Sequence, residues 1–129
     1  MLTIEQVCEV AGLESQTLRN WIANEVIIPS DKGGMGRGHG HRFSVTQSVG
    51  LVIAAEIRRS KQGTSLTLIK DLVRSFSDLS EEQLQAEFGQ GNTHLVLPDP
   101  ILLFKPHPKR TDEPNVREAY ARVLAKLGK

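Results

Sequence analysis

At 129 residues, of which 39% are hydrophobic, the chain has the length of one compact domain or of one domain with an appendage. Its single cysteine excludes an internal disulfide and a multi-cysteine zinc site, and its formal net charge of +1 indicates no partner by itself. The longest strongly apolar run, Leu51 to Ala55, is far shorter than the roughly 20 residues of a membrane span. No leader-like segment opens the chain, so we expect a soluble cytoplasmic protein without a membrane partner.

The first stretch, Thr3 to Ile22, has the pattern of a helix-turn-helix. Thr3 followed by Gln6 forms a capping-box pattern, and an apolar face then recurs at helical spacing. Gly12 is placed to end this helix. A second helix is expected to begin at Glu14 or Ser15. Its inward positions are Leu18, Trp21 and Ile22, whereas Cys8 belongs to the buried face of the first helix.

The outer face of the second helix is polar. Its side chains can donate to and accept from base edges and phosphates, which makes them candidate DNA-binding residues. These residues are Ser15, Gln16, Thr17, Arg19 and Asn20.

A glycine-rich basic segment follows the second helix. Five glycines lie between positions 30 and 40, and no acid occurs from Lys32 to Arg42. Between the apolar residues at Ile27 and Phe43, this composition favours a β-hairpin with a long tip, in other words a wing, over a flexible linker. Its candidate DNA contacts are Lys32, Arg37, His39, His41 and Arg42.

Catalytic and metal-binding interpretations of this segment are weaker. His39 and His41 have arginines on either side and no cysteine or carboxylate close by, so we expect phosphate contacts rather than a metal site. The GGMGRG sequence lacks the Lys-Ser/Thr ending of a nucleotide-binding loop. No nucleophile motif is present either. The sequence therefore predicts a protein that is not an enzyme and needs no cofactor.

Two further helices complete the predicted DNA-binding domain, residues 1–76. Ser44 or Thr46 is placed to cap the third helix, which ends before Gly63, and Ser65 is placed to cap the fourth. Both helices carry an apolar stripe. The stripes comprise Val45, Val49, Val52, Ile53 and Ile57 in the third helix and Leu66, Ile69, Leu72, Val73 and Phe76 in the fourth.

Residues 77–129 are expected to form a small α/β extension that ends in a helix. Ser80 and Gln83 form a second capping-box pattern before a short acidic helix. Two apolar runs, 94–97 and 101–104, could pair as a hairpin, and 105–114 has the composition of a linker. The last helix, 115–127, has one apolar face: Val116, Tyr120, Val123, Leu124 and Leu127. This face could support a homodimer, but packing against its own domain is favoured.

The ordered set of motifs resembles the MerR-type winged helix-turn-helix family over about residues 3–76. The matching positions are Thr3-Ile4, Val7, Ala11-Gly12, Thr17-Leu18-Arg19, Trp21, Gly36-Arg37-Gly38, Phe43-Ser44, Ile57, Gly63, Ser65-Leu66 and Ile69. The resemblance implies a mainly α fold of four helices and a hairpin wing. It also implies that Arg19 and its neighbours enter or flank the major groove, and that the wing contacts the backbone or minor groove.

Together these patterns predict a sequence-specific protein that binds double-stranded DNA, of the kind found among bacterial transcriptional regulators. Two alternatives remain open: an excisionase-like or other mobile-element protein that bends DNA, and a protein-interaction module built on the winged fold. The long coiled-coil helix common in MerR-type regulators is not predicted after position 76 of this chain.

Overall fold

The computed structural model of the chain describes residues 2–29, 41–60, 66–91, 94–95, 104–105 and 115–128. These residues are mainly helical and include short antiparallel strand pairs, which confirms the predicted class at that level. In chain order the elements are β1 (Leu2–Thr3), α1 (Ile4–Ala11), α2 (Ser15–Ala23), β2 (Arg42–Phe43), α3 (Val45–Ser60), α4 (Leu66–Ser77), α5 (Glu81–Gly89), β3 (His94–Leu95), β4 (Phe104–Lys105) and α6 (Val116–Lys126).

The α1–turn–α2 unit begins and turns where the sequence predicts. The Thr3 hydroxyl accepts from the Gln6 amide at 3.2 Å, and the Gln6 side chain accepts from the Thr3 amide at 2.9 Å, so the capping box is complete. Gly12 ends α1 in the left-handed region at φ 71°. A side chain is disfavoured at that φ, which explains the glycine. Leu18 and Trp21 are buried as predicted, and Ile22 is half-buried.

Helix α3 is the centre of the core. Every residue from 45 to 55 is buried, because α1, α4 and α6 pack around this helix. The predicted apolar stripe of α3 is confirmed, but burial extends well beyond one stripe. Gly50 permits close contact with α4, since a Cβ at this position would lie 2.8 Å from the Cβ of Phe76. In α4 the buried stripe begins at Ile69; Leu66, predicted to face inward, is 50% exposed.

The strand before α3 pairs with the N-terminus. Phe43 lies opposite Leu2, and Arg42 lies opposite Thr3, in an antiparallel ladder. The predicted pairing of Ile27 with the strand at Phe43 is not found among the described residues, in which 26–29 form no strand. A hairpin would have paired β2 with the segment near Ile27. Instead, β2 pairs with β1, about 40 positions earlier in the chain. The predicted wing tip, 30–40, lies outside the described residues.

The C-terminal segment is joined to the same core. Ser80 and Gln83 form the second predicted capping box, and β3 pairs with β4 in the expected antiparallel sense, with Leu95 opposite Phe104. Helix α6 packs against α3 and α1, so it folds back as favoured from the sequence. Its buried residues, Val116, Ala119, Tyr120 and Val123, belong to one hydrophobic cluster with those of α1 to α4. The predicted linker, apart from Lys105 in β4, is outside the described residues.

Within the described part of the chain, no helix combines the length and apolar character needed to cross a lipid bilayer.

Candidate nucleic-acid interface

The polar face of α2 points to solvent. Because Leu18 and Trp21 are 0% and 5% exposed, the rotation of α2 about its axis is set by the core. The other face of α2 is then directed outward: Ser15, Gln16, Arg19 and Asn20 are exposed, and Thr17 is half-buried. The structure thus places all five predicted α2 residues on one helix, with four of them accessible to a large ligand.

Two amide side chains on this face form a hydrogen bond with each other. The Gln16 Nε2 atom donates to Asn20 Oδ1 at 2.9 Å, across one helical turn. This contact leaves the Gln16 carbonyl as an acceptor and the Asn20 amide nitrogen as a donor. Adenine presents a complementary donor and acceptor in the major groove. The pair therefore offers the chemistry needed to contact a base edge.

Arg19 is the one cation in α2, and it has an acidic neighbour. Its Nη2 atom lies 3.9 Å from Oε1 of Glu5 in the first turn of α1. Both side chains are more than half exposed, so the ion pair contributes little to stability. A phosphate or a guanine edge can replace a partner held this weakly.

The residues of the predicted wing are described only in part. His41 and Arg42 are half-buried beside the N-terminal turn of α1, and His41 Nδ1 is buried without a hydrogen-bond partner in the described structure. The β1–β2 ladder holds Arg42 opposite Thr3. Lys32, Arg37 and His39 lie outside the described residues, so the geometry between the wing and α2 stays a prediction.

Two arginines at the end of α3 contact α1 and α2, which the sequence did not predict. The Arg59 Nη1 atom donates to the Ala11 carbonyl at 2.6 Å and so satisfies the C-terminal end of α1. The Arg58 guanidinium lies 5.8 Å from the ring centre of Trp21 in α2. Both arginines suit the negative end of the α3 dipole, and nothing in the local sequence identifies partners that lie 48 positions from Arg59 and 37 positions from Arg58.

Cys8 lies on the buried face of α1. It is buried, as predicted, and burial raises the pKa of its thiol, while a hydrogen bond with Ser15 acts in the opposite direction. A buried thiol with a raised pKa is a poor nucleophile at neutral pH. Among the described residues, no three His, Cys, Asp or Glu side chains gather as a metal site.

Comparisons of the chain with protein-family models, with curated proteins and with solved structures find no match.

Proposed function

We propose that this protein binds double-stranded DNA in a sequence-dependent manner and acts as a transcriptional regulator. The outer face of α2 carries the proposal: an exposed row of Gln16, Arg19 and Asn20 stands on a helix whose opposite face is fixed in the core. Amides and arginine are the side chains that read base edges most often. The resemblance of residues 3–76 to the MerR-type family supports the same function.

Helix α2 alone cannot supply the electrostatic affinity. It has one arginine, Arg19, and the nearby Glu5 carboxylate partly offsets its positive charge. DNA-binding proteins usually neutralise several phosphates. The proposal therefore includes Lys32, Arg37, His39, His41 and Arg42 of the glycine-rich segment as backbone or minor-groove contacts. Base readout and phosphate binding are divided between two parts of one surface.

The test is a salt titration of binding to duplexes selected from a random pool. We expect the logarithm of the affinity to fall linearly with the logarithm of salt concentration, and Arg19→Ala and Arg37→Ala each to weaken binding about tenfold or more. A lost phosphate contact also lowers the salt slope by about one unit. Arg117→Ala, an exposed arginine on α6, is the matched control.

Two results would contradict the proposal. The first is that the Arg19→Ala and Arg37→Ala variants both bind duplex DNA at low salt as tightly as the unchanged protein. The second is that the unchanged protein shows no salt-sensitive binding to DNA. The second result would favour a protein-interaction module. Binding that bends the duplex strongly in a circular-permutation assay would instead favour a DNA-bending protein of a mobile element.

A further inference from the structure

A cleft of about 280 Å³ lies between the segment that follows α2 and one side of α4. Val26, Ile27 and Val73 supply apolar walls, and the last two are almost fully buried. This volume is just below the usual range for ligand pockets, which begins at about 300 Å³. It suits one small molecule rather than a peptide.

Two cations stand side by side at this cleft. Lys70 and Arg74 lie one turn apart on α4, both are exposed, and neither forms an ion pair in the described structure. Like charges four residues apart on a helix repel one another. An anion placed between them would remove the repulsion, and arginine can hold a carboxylate or phosphate through two parallel hydrogen bonds.

The opposite wall has the opposite charge. Glu25 follows α2 with a positive φ of 58°, and its neighbours are held firmly: the amides of Val26 and Ile27 donate to the Trp21 carbonyl at 2.8 and 3.2 Å. Gln47 of α3 donates to the Ile28 carbonyl at 2.6 Å. The wall is therefore preformed. Glu25 would repel an anionic group on its own side and direct that group toward α4.

We propose that this cleft binds a small organic anion, with its carboxylate or phosphate between Lys70 and Arg74 and its apolar body against Val26, Ile27 and Val73. The proposal does not rest on DNA binding. Its residues, Val26, Ile27, Lys70, Val73 and Arg74, are not among the proposed DNA contacts, and a nucleic-acid backbone does not need apolar walls.

The test uses phenyl phosphate and benzoate as probes and follows their binding through amide chemical shifts in NMR spectra of the full chain. Both probes should shift the signals of Val26, Ile27 and α4 saturably, with dissociation constants of about 1–10 mM or tighter. Inorganic phosphate lacks the apolar body and benzyl alcohol lacks the charge, so each should bind at least about tenfold more weakly.

The double variant Lys70→Gln/Arg74→Gln should weaken phenyl phosphate binding about tenfold or more, and Arg117→Gln should leave it unchanged. Equal binding by the double variant would overturn the proposal. Equal affinity for inorganic phosphate, shifts confined to other parts of the chain, or the absence of saturable shifts would overturn it as well. Displacement of phenyl phosphate by duplex DNA would assign the two cations to a DNA backbone instead, and the small-anion site would again be rejected.

Discussion

At the scale of single residues, the outer face of α2 combines an ordered amide pair with a weakly held arginine. The Gln16–Asn20 hydrogen bond restricts both side chains before any ligand arrives, which lowers the entropy lost on binding. The Arg19–Glu5 pair is exposed and long, so it restricts Arg19 much less. In the proposed complex, the amides supply the fixed part of base readout.

If the proposed function is right, Asn20→Ala should relax the preference at one base pair. The bidentate match to adenine predicts a loss of about 1–3 kcal/mol of discrimination at that pair, with a smaller change for duplexes that already carry another base there. For each position of a selected site, the measurement compares the affinities of the variant and the parent for the four duplexes that carry each possible base pair there.

Gln16→Ala should affect the same base pair as Asn20→Ala, and the double variant should lose less than the sum, because the two amides act together. Asn24→Ala, an exposed amide beyond the end of α2, serves as control. Equal weakening for all four bases would show that Asn20 contributes no base readout.

At the scale of elements, the contact between α3 and α4 depends on one glycine. The Cβ of an alanine at position 50 would lie 2.8 Å from the Phe76 Cβ and 3.2 Å from its ring, and neither atom is the end of a flexible chain. We expect Gly50→Ala to lower the free energy of unfolding by about 1–3 kcal/mol, although alanine is the better helix former.

The chain offers a matched control for this substitution. Gly89 is also a helical glycine, at the end of α5, but a Cβ added there would meet no atom of the described residues within 4 Å beyond its chain neighbours. Gly89→Ala should stabilise the protein by about 0.4–1 kcal/mol. Urea unfolding followed by circular dichroism measures both variants, and a Gly50→Ala protein at least as stable as the parent would contradict the packing argument.

Local signals made the elements predictable, whereas distant contacts were missed. Contacts within four positions determine where these helices begin and end. They include both capping boxes, the turn at Gly12, and the bond from the Gln47 amide to the Ser44 hydroxyl at the start of α3. The pairing of Leu2 with Phe43 and the contact of Arg59 with Ala11 join residues about 40 to 50 positions apart. The spacing of residues along the chain does not indicate such contacts. The strand at Phe43 was therefore predicted to pair with Ile27 in a hairpin, whereas it pairs with Leu2.

The candidate site divides in the same way. Periodicity alone placed Gln16, Arg19 and Asn20 on the outer face of α2. Neither the amide pair's orientation nor the position of Glu5 beside Arg19 could be read from periodicity, because both depend on side-chain rotamers and on the packing of α1 against α2.

At the scale of the whole molecule, the packing of α6 against α3 places Glu56 where its protonation affects the stability of the fold. This α3 carboxylate lies 3.3 Å from Arg122 of α6 and is partly buried. Burial raises the pKa of Glu56 above its ordinary value near 4.5, and Arg122 and Arg59 offset part of that rise. The folded state therefore binds this proton more tightly than the unfolded state does.

The raised pKa of Glu56 sets the sign of a pH effect. Its contribution to stability is fully present below the unfolded pKa and is lost as the pH rises through the folded pKa. Relative to the parent, Glu56→Gln should therefore become progressively more stable as the pH increases from about 4.5 toward 7. Urea midpoints measured across this range test the trend, and Glu82→Gln removes the same charge from an exposed site of α5. A difference that shrinks with rising pH would contradict the assignment.

The return of α6 to the core also has a consequence for the order of folding. The Lys126–Glu9 ion pair joins positions 117 apart, and Val123 shares a hydrophobic cluster with residues of α1. Roughly 90 residues separate α2 from α6, so at about 5–20 residues per second a ribosome completes α6 some 5–20 seconds after α2. During that interval α1 and α3 expose the apolar surface that α6 later covers. The proposed recognition surface on α2 is therefore synthesised before the α6 part of the core that holds it in place.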